Sequence, residues 1–166
     1  MNDRGFAIVG LDSPKFAENI GGVLRACGAY GVAQVNISRC RAKHLDVKEN
    51  TSKAHRHMPT FIVDDPLEYL PWGTEIVAVD LVDDAVPLPT FIHPERAIYV
   101  FGAEDRTLDE NILSRAHHRV MIPTRNCMNL AATVNVVLYD RLAKSAPFNA
   151  AYPSATSAKP YVRKSA

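Results

Sequence analysis

Two glycines and an arginine stand near the start of a predicted helix in the stretch Asn19-Ile-Gly21-Gly22-Val-Leu-Arg25. Glycines at such a place allow a phosphate or another ligand to approach the backbone. The spacing is not that of the GxGxxG fingerprint, however, and no P-loop lysine follows. Arg25 is expected on or near the buried side of the helix, where an unpaired charge is costly, so it either pairs with a carboxylate or serves a site. The residues alone favour structural pairing over a catalytic role.

A second polar stretch, 102–106, follows the apolar strand that ends at Phe101. Gly102 would let a ligand come close to the backbone. Glu104 could pair with Arg25 or accept a hydrogen bond from a substrate. An ordinary turn is the equal alternative, because Glu104 and Asp105 are also favourable near the start of the next helix.

The third stretch, 124–129, is a polar loop that Pro123 separates from a short strand. Its backbone groups could recognise a heterocycle. Asn129 precedes a helix and could cap it with its side-chain oxygen, or turn its amide toward the loop. Cys127 has no fixed positive partner except Arg125, so a small buried thiol is favoured over a nucleophile.

The fourth stretch, 39–57, is rich in basic residues: Arg39, Arg41, Lys43, Lys48, Lys53 and Arg56. Such runs are usually solvated faces. The histidines at 55, 57, 117 and 118 lack companions at metal-ligand spacing, so zinc is not expected. The three cysteines are widely spaced and form no CxxC pair, so neither a metal site nor a disulfide framework is predicted. A reducing cytoplasm is therefore the expected location.

The composition predicts one soluble globular domain. The chain has 166 residues, of which 47% are hydrophobic and 22% charged. The formal net charge is +1, so a nucleic-acid surface would have to be a local patch. We predict no membrane span, because no apolar run approaches the necessary length of about 20 residues, and the first residues do not form a signal peptide.

The apolar strands do not alternate with polar residues, which is typical of strands buried on both faces of a parallel sheet. Strands are predicted at 6–10, 32–37, 61–63, 75–81, 97–101 and 120–122. Helices are predicted at 17–30, 45–54, 66–70, 108–116 and from 130 onward. This alternation predicts a doubly wound α/β domain over residues 1–143. Residues 144–166 are rich in Ala, Ser and Pro and are predicted to form a mobile basic tail.

In this order and spacing, the polar stretches resemble the SpoU/TrmH family of SPOUT methyltransferases. The first family motif corresponds to Asn19, Gly21 and Arg25, and the second to Phe101, Gly102, Glu104 and Leu108. The third corresponds to Ile122, Pro123, Cys127, Met128, Asn129 and Leu130. The resemblance covers the chain to about residue 143. It is closest to the minimal enzymes that methylate the wobble-position cytidine or uridine of tRNA.

The resemblance implies an RNA ribose 2′-O-methyltransferase that uses S-adenosylmethionine, has tRNA as its expected substrate and forms a homodimer. It further implies a deep C-terminal trefoil knot whose loops hold the cofactor. The residues that would contact the cofactor are Val79, Asp80, Gly102, Ile122, Cys127 and Leu130. The expected dimer interface consists of the helix that carries Arg25 and the helix after Asn129.

The resemblance also assigns catalytic roles. Arg25 would orient the 2′-hydroxyl and stabilise the developing alkoxide, since a neutral arginine is costly at pH 7. Glu104 and Asn129 would fix Arg25 and the ribose, and Asn19 would shape the pocket. Contacts to RNA phosphates are expected from Arg41, Lys53, Arg56 and Arg125, together with the basic residues of the tail.

The sequence departs from the family pattern at three places. Cys127 replaces a serine in a short third-motif loop, Thr107 replaces a glycine, and Asp105 with Arg106 replaces the commoner sequence after Glu104. Four other functions stay open. One is a non-catalytic RNA-binding module on the same fold, and another is methylation of rRNA. The third is base methylation, which commonly uses an aspartate as base and against which the Asn19/Arg25 motif speaks. The fourth is a generic nucleotide-binding α/β enzyme, for which the sequence has no phosphate-loop signature.

Overall fold

The computed structural model describes residues 5–42 and 56–145. These residues form a sheet of parallel strands in the order β3-β2-β1-β6-β4-β7-β5, with helices on its faces. The strands are β1 (Phe6–Asp12), β2 (Gln34–Ser38), β3 (Thr60–Val63), β4 (Glu75–Val79), β5 (Val86–Pro87), β6 (Arg96–Phe101) and β7 (His118–Met121). The helices are α1 (Ala17–Tyr30), α2 (Glu110–Leu113) and α3 (Leu130–Lys144). The predicted doubly wound α/β fold is confirmed.

Both faces of the central strands are buried, which explains their continuous apolar sequence. Strands β1 and β6 lie side by side, with Ile8 opposite Ile98 and Val9 opposite Tyr99. Ile8 and Ile98 face a core that α2 closes, whereas Val9 and Tyr99 face the core beneath α1 and α3. Alternate residues of one strand therefore fill two separate cores, and a polar position would be costly in either.

Helices α1 and α3 pack against each other over one face of the sheet. Helix α1 has the predicted bounds, and Gly31 ends it in the left-handed conformation with φ of 68°. Helix α3 begins after Asn129, whose side chain accepts hydrogen bonds from the first-turn amides. The glycine and the asparagine thus act at the two helix ends as their residue types predict.

Three predicted elements differ in the structure. Residues 66–70 form turns rather than a helix, and the helix predicted over 108–116 is limited to Glu110–Leu113. Residues 82–94, where neither a strand nor a helix was predicted, contain strand β5, which pairs with β7 at the edge of the sheet. Pro87 is compatible with this edge position because it needs to donate no hydrogen bond there. The helix predicted over 45–54 and the tail beyond residue 145 lie outside the described residues.

The strand order reverses between β1 and β6, which places a ligand-binding crevice at the carboxyl ends of these strands. The loops after β1, β2, β4, β6 and β7 all emerge along this edge of the sheet. Within residues 5–42 and 56–145, no helix is long and apolar enough to cross a membrane. The trefoil knot stays a prediction.

Candidate active site

A cavity of about 450 Å³ opens at the carboxyl ends of β4, β6 and β7, against the start of α3. Its volume is within the range of small-molecule sites. The residues that we predicted to contact the cofactor all line it: Val79, Asp80, Gly102, Ile122, Cys127 and Leu130. The structure therefore brings together residues from four separate segments of the chain.

The side chain of Asp80 joins the loop after β4 to the loop after β6. Its Oδ1 accepts a hydrogen bond from the amide of Leu81 at 2.7 Å, and its Oδ2 accepts one from the amide of Leu108 at 2.6 Å. A Cβ at Gly102 would lie 3.3 Å from the carbonyl oxygen of Arg106 and 3.4 Å from the nitrogen of Leu108. The loop after β6 thus folds back tightly on its own first residue, which leaves little space for a side chain at Gly102.

Cys127 lies at the rim of the cavity rather than in the core. The thiol-bearing residue is exposed, so the prediction of a small buried thiol was wrong. The physical reason is that residues 123–127 form an exposed loop above the cavity. The hydroxyl of Thr124 donates to the carbonyl of Asn126 at 2.8 Å and closes this loop locally. Cys127 therefore borders the space that a ligand would fill.

Three of the predicted catalytic residues form one hydrogen-bonded chain beside the cavity. Asn19 donates from Nδ2 to Glu104 Oε1, and Asn129 donates from Nδ2 to Asn19 Oδ1 at 2.8 Å. Each end of the chain is fixed by the backbone. Asn129 Oδ1 accepts from the amide of Ala131 at 2.9 Å, and Glu104 Oε2 accepts from the amide of Lys15 at 3.2 Å. These side chains are therefore preorganised without any ligand.

Arg25 does not join this chain. It is exposed, whereas its neighbours Leu24 and Ala26 are only 3% exposed. The expectation that Arg25 lies on the buried side was wrong, because successive residues of a helix are rotated by about 100° and Arg25 points away from the core. Within the described part of the chain, Arg25 has no hydrogen bond or ion pair. Glu104 does not pair with it but accepts from Asn19 instead.

Gly22 serves the packing of α1 against α3. A Cβ at Gly22 would lie 2.8 Å from the Cβ of Ala131, closer than real Cβ atoms approach one another. The structure therefore shows a helix as the close neighbour of this glycine, where the sequence had suggested a phosphate or ligand. This close approach holds Asn19, almost one turn earlier on α1, near Asn129 at the start of α3.

Comparison with known proteins is consistent with this arrangement. A model of the SpoU rRNA Methylase family matches residues 7–139. The chain belongs to this family. No curated protein matches the sequence at a significant level.

Solved structures share the fold of this SpoU chain. The SpoU methyltransferase AviRb from Streptomyces viridochromogenes superposes with a TM-score of 0.72 at 20% identity, over 83% of this chain and 59% of AviRb. The TrmH/SpoU tRNA modifying enzyme from A. aeolicus has a TM-score of 0.72 at 24% identity, over 83% of this chain and 74% of that enzyme. A structure reported for the 2-OH methylation of C/U34 on tRNA has a TM-score of 0.69 at 24% identity, over 82% of this chain and 89% of that chain. The SpoU chain thus spans 59% of AviRb.

Next to the Asn19–Glu104–Asn129 chain, the SpoU protein carries a cluster of charged side chains that sequence reasoning missed. Arg41 donates from both terminal nitrogens to the Asp105 carboxylate, at 2.6 and 3.2 Å, and Lys15 Nζ donates to it at 3.1 Å. These hydrogen bonds, first that of Arg41 and then that of Lys15, hold the pKa of Asp105 well below its usual range. The cluster could have been predicted from the sequence, because Lys15, Arg41 and Asp105 follow strands β1, β2 and β6, whose carboxyl ends lie at the same edge of the sheet.

The residues predicted to contact RNA lie in separate places. Arg41 is bound to Asp105 as described, whereas Arg56 and Arg125 are exposed on different loops. Arg125 belongs to the loop above the cavity. Lys53 lies outside the described residues. The structure therefore brings one predicted RNA contact, Arg41, into the neighbourhood of the predicted catalytic residues, and a second, Arg125, to the loop at the cavity rim.

Proposed function

We propose that this protein transfers a methyl group from S-adenosylmethionine to a ribose 2′-hydroxyl of RNA, with tRNA as the substrate. The main support for this proposal is that a cavity of cofactor size lies beside the hydrogen-bonded side chains of Asn19, Glu104 and Asn129. Membership of the SpoU family supports methyl transfer to RNA. The similarity in fold to the structure reported for the 2-OH methylation of C/U34 on tRNA supports tRNA as the substrate.

The cavity suits the chemical parts of S-adenosylmethionine. Val79, Ile122 and Leu130 give it apolar walls on which an adenine ring could pack, and the surrounding loops supply backbone hydrogen-bonding groups. The carboxylates of Asp80 and Glu104 are part of its lining and would favour a positively charged ligand. When bound, the cofactor supplies an electrophilic methyl group on a cationic sulfur.

The protein's own contribution is to hold the ribose and the developing charge in place. Asn129 is fixed by the start of α3 and Glu104 by the amide of Lys15, so Asn19 between them is held from both sides. Such prepositioned groups reduce the cost of bringing two reactants together and need no reorganisation during the reaction. Arg25 would orient the 2′-hydroxyl and stabilise the alkoxide as it forms. An arginine side chain is a poor general base at neutral pH, so this role in orientation and charge stabilisation is the one that its chemistry supports.

We also propose that Arg25 reaches a site through dimerisation. In the single chain it is exposed on α1 and does not line the cavity. Helix α3, which packs against α1, carries exposed apolar residues at intervals of three: Val136, Tyr139 and Leu142. Ile92 lines the same groove as Leu142, so it extends this surface, and it is 87% exposed. An apolar stripe of this kind favours a self-complementary contact between two copies, which would place Arg25 of one copy at the cavity of the other.

Binding of RNA would use the predicted basic residues Arg41, Lys53, Arg56 and Arg125. Because each phosphate contact releases counterions, the affinity for RNA should fall as the salt concentration rises. Substitution of Lys53 and Arg56 together by glutamine should weaken RNA binding. Unchanged affinity would remove the 39–57 run from the RNA-binding surface.

The proposed function is tested by methyl transfer from radiolabelled S-adenosylmethionine to total tRNA. The product is digested with a nuclease that cannot cut beside a 2′-O-methylated ribose. We expect a labelled dinucleotide that resists digestion, and a loss of at least about a hundredfold in rate for Arg25→Ala. Arg115→Ala is the matched control, because Arg115 is a partly exposed arginine paired with Asp65 at 2.5 Å, away from the cavity.

The alternatives give different results in the same assay. The family description makes rRNA the second candidate substrate, so label should appear in rRNA if it is absent from tRNA. A labelled product that the nuclease digests completely would indicate base methylation. If calorimetry detects no binding of S-adenosylmethionine while RNA still binds, the non-catalytic RNA-binding module replaces our proposal.

A further inference from the structure

Lys15, Arg41 and Asp105 form a cluster that takes no part in the proposed methyl transfer, although Arg41 is among the residues predicted to contact RNA. The loops after β1, β2 and β6 meet there, and the Asp105 carboxylate accepts hydrogen bonds from Lys15 and Arg41 while Arg106 Nε lies 3.9 Å from it. The side chains are accessible to solvent, with exposed fractions of 43%, 30% and 39% for Lys15, Arg41 and Asp105. Three cations around a single accessible carboxylate leave positive charge available to an incoming anion.

The cluster lies directly beside the proposed reaction centre. Asp105 follows Glu104 in the chain, and both residues line the cavity. The backbone amide of Lys15 donates to the Glu104 carboxylate, so one residue contacts both carboxylates. A ribose held by Asn19 and Glu104 would therefore have its flanking phosphate close to the ammonium group of Lys15.

Arg41 does not depend on Asp105 for its position. Its Nε donates to the carbonyl of Ser13 at 3.0 Å, and its backbone amide donates to the carbonyl of Pro14 at 2.9 Å. The fork of the guanidinium remains directed at the cluster if Asp105 moves away. This fork binds the paired oxygens of a carboxylate or a phosphate with the same geometry. Exposed ion pairs contribute little to stability, so exchange of one anion for another is inexpensive.

We propose that Lys15 and Arg41 bind a backbone phosphate of the substrate RNA beside the target ribose, and that Asp105 occupies the place of this phosphate in the free protein. The inference rests on the proposed function for the identity of the ligand. Asp105 keeps the two cations assembled between rounds of binding and lowers the affinity for RNA by competing with it. The alternative is a purely structural role, in which Asp105 holds the three loops together whether or not RNA is bound.

The test measures the binding of a fluorescein-labelled, unmodified tRNA transcript over a series of salt concentrations. Asp105→Asn should bind tRNA about three- to tenfold more tightly than the wild type at low ionic strength. The slope of the logarithm of its binding constant against the logarithm of the salt concentration should be steeper by about one. Arg41→Gln and, independently, Lys15→Gln should bind more weakly, with a salt dependence shallower by about one. Glu75→Gln removes the same charge at the opposite edge of the sheet and should leave the affinity unchanged.

Calorimetry of S-adenosylmethionine binding accompanies the tRNA binding series. Because Asp105 lines the cavity, calorimetry shows whether Asp105→Asn also disturbs the cofactor site. Tighter tRNA binding by Asp105→Asn supports the proposed phosphate site whatever the cofactor affinity. Unchanged or weaker tRNA binding would overturn it, and weaker cofactor binding in the same variant would then assign Asp105 a purely structural role. If the wild type binds tRNA but transfers no methyl group, the proposed function fails while the binding series still decides the phosphate site. Absence of salt-dependent tRNA binding in the wild type would contradict the phosphate site as well.

Discussion

Asn129 performs two tasks with the two ends of its amide. Its oxygen caps α3 through the amides of Ala131 and Ala132, and its nitrogen donates to Asn19. The two tasks can be separated because serine is also a good N-cap but has no separate amide nitrogen to contact Asn19. The position therefore combines a structural requirement with a proposed catalytic one.

We expect Asn129→Ser to keep most of the stability of the protein and to lose methyl transfer. Asn129→Ala should lose methyl transfer and also about 1 kcal/mol of unfolding free energy, because the cap is removed. Urea unfolding and the labelled tRNA assay measure the two effects. If Asn129→Ser retains wild-type activity, the hydrogen bond to Asn19 has no part in catalysis.

The sequence identified Asn19, Glu104 and Asn129 but not the bonds between them. Motif spacing shows which residues are present, whereas the partner of a side chain depends on rotamers and on the approach of distant segments. Asn19 and Glu104 are 85 residues apart, and Asn19 and Asn129 are 110 apart. The error over Arg25 has the same origin, because a charged residue one position after Leu24 falls off the buried face of α1.

At the scale of elements, the contact between Gly22 and Ala131 sets the distance between α1 and α3. Gly22→Ala should destabilise the protein by about 1 kcal/mol, since the overpacking cost of about 1–3 kcal/mol exceeds the gain in helix propensity. In Gly22→Ala with Ala131→Gly, the methyl group is exchanged between the helices and part of the lost stability should return. A double-mutant cycle from urea unfolding measures this coupling. Strictly additive effects would show that the two helices do not make this contact.

A second interaction between elements connects the end of α3 to the loop before β6. His93, with 5% of its side chain exposed, contacts Asp140 through Nε2 at 2.8 Å and the Tyr99 hydroxyl through Nδ1 at 2.7 Å. Since the Asp140 carboxylate accepts from Nε2–H, Nδ1 of the neutral ring accepts from Tyr99. Arg141 Nη1 donates to the same hydroxyl at 3.0 Å. Burial raises the pKa of Tyr99 to about 12, so the hydroxyl keeps its proton.

This arrangement predicts a loss of stability at mildly acidic pH. Burial lowers the pKa of His93 in the folded protein despite the opposing effect of Asp140. The unfolded chain, with a histidine pKa of about 6.5, then binds more protons than the folded one, so stability rises with pH in this range and falls as the pH drops below about 6.5. Urea midpoints of the wild type and His93→Gln, taken from about pH 8 to pH 5, measure the effect. His93 is not responsible if both proteins show the same dependence.

The sequence predicted long elements well and short ones poorly. The bounds of α1 follow from its apolar period and from Gly31, both of which are local signals. Strand β5 has two residues, one of them Pro87, and exists only because β7 provides a partner. The cluster at Asp105 was missed for a related reason, since its cations come from loops 64 and 90 residues away.

At the scale of the whole molecule, our proposal that the exposed Arg25 completes the site of a second copy makes a prediction about mixed dimers. Arg25→Ala and Glu104→Gln should each be inactive alone. In a mixed preparation with random exchange, half of the dimers would be mixed and one of their two sites would be intact, which gives about one quarter of wild-type activity. Subunit exchange is verified by native mass spectrometry of differently isotope-labelled copies, because either variant mixed equally with wild type gives about half of the wild-type activity with or without exchange. No recovery of activity on mixing, with exchange demonstrated, would place Arg25 and Glu104 of the same copy at one site.

The most direct test of the whole account is the position of the transferred methyl group. Total tRNA is treated with the protein and S-adenosylmethionine that carries a deuterated methyl group, then digested to nucleosides and analysed by mass spectrometry. We expect a labelled nucleoside whose sugar fragment carries the deuterium, with no signal for Arg25→Ala and a normal signal for Arg115→Ala. Deuterium on the base fragment would contradict ribose methylation and the proposed roles of Asn19, Glu104 and Asn129.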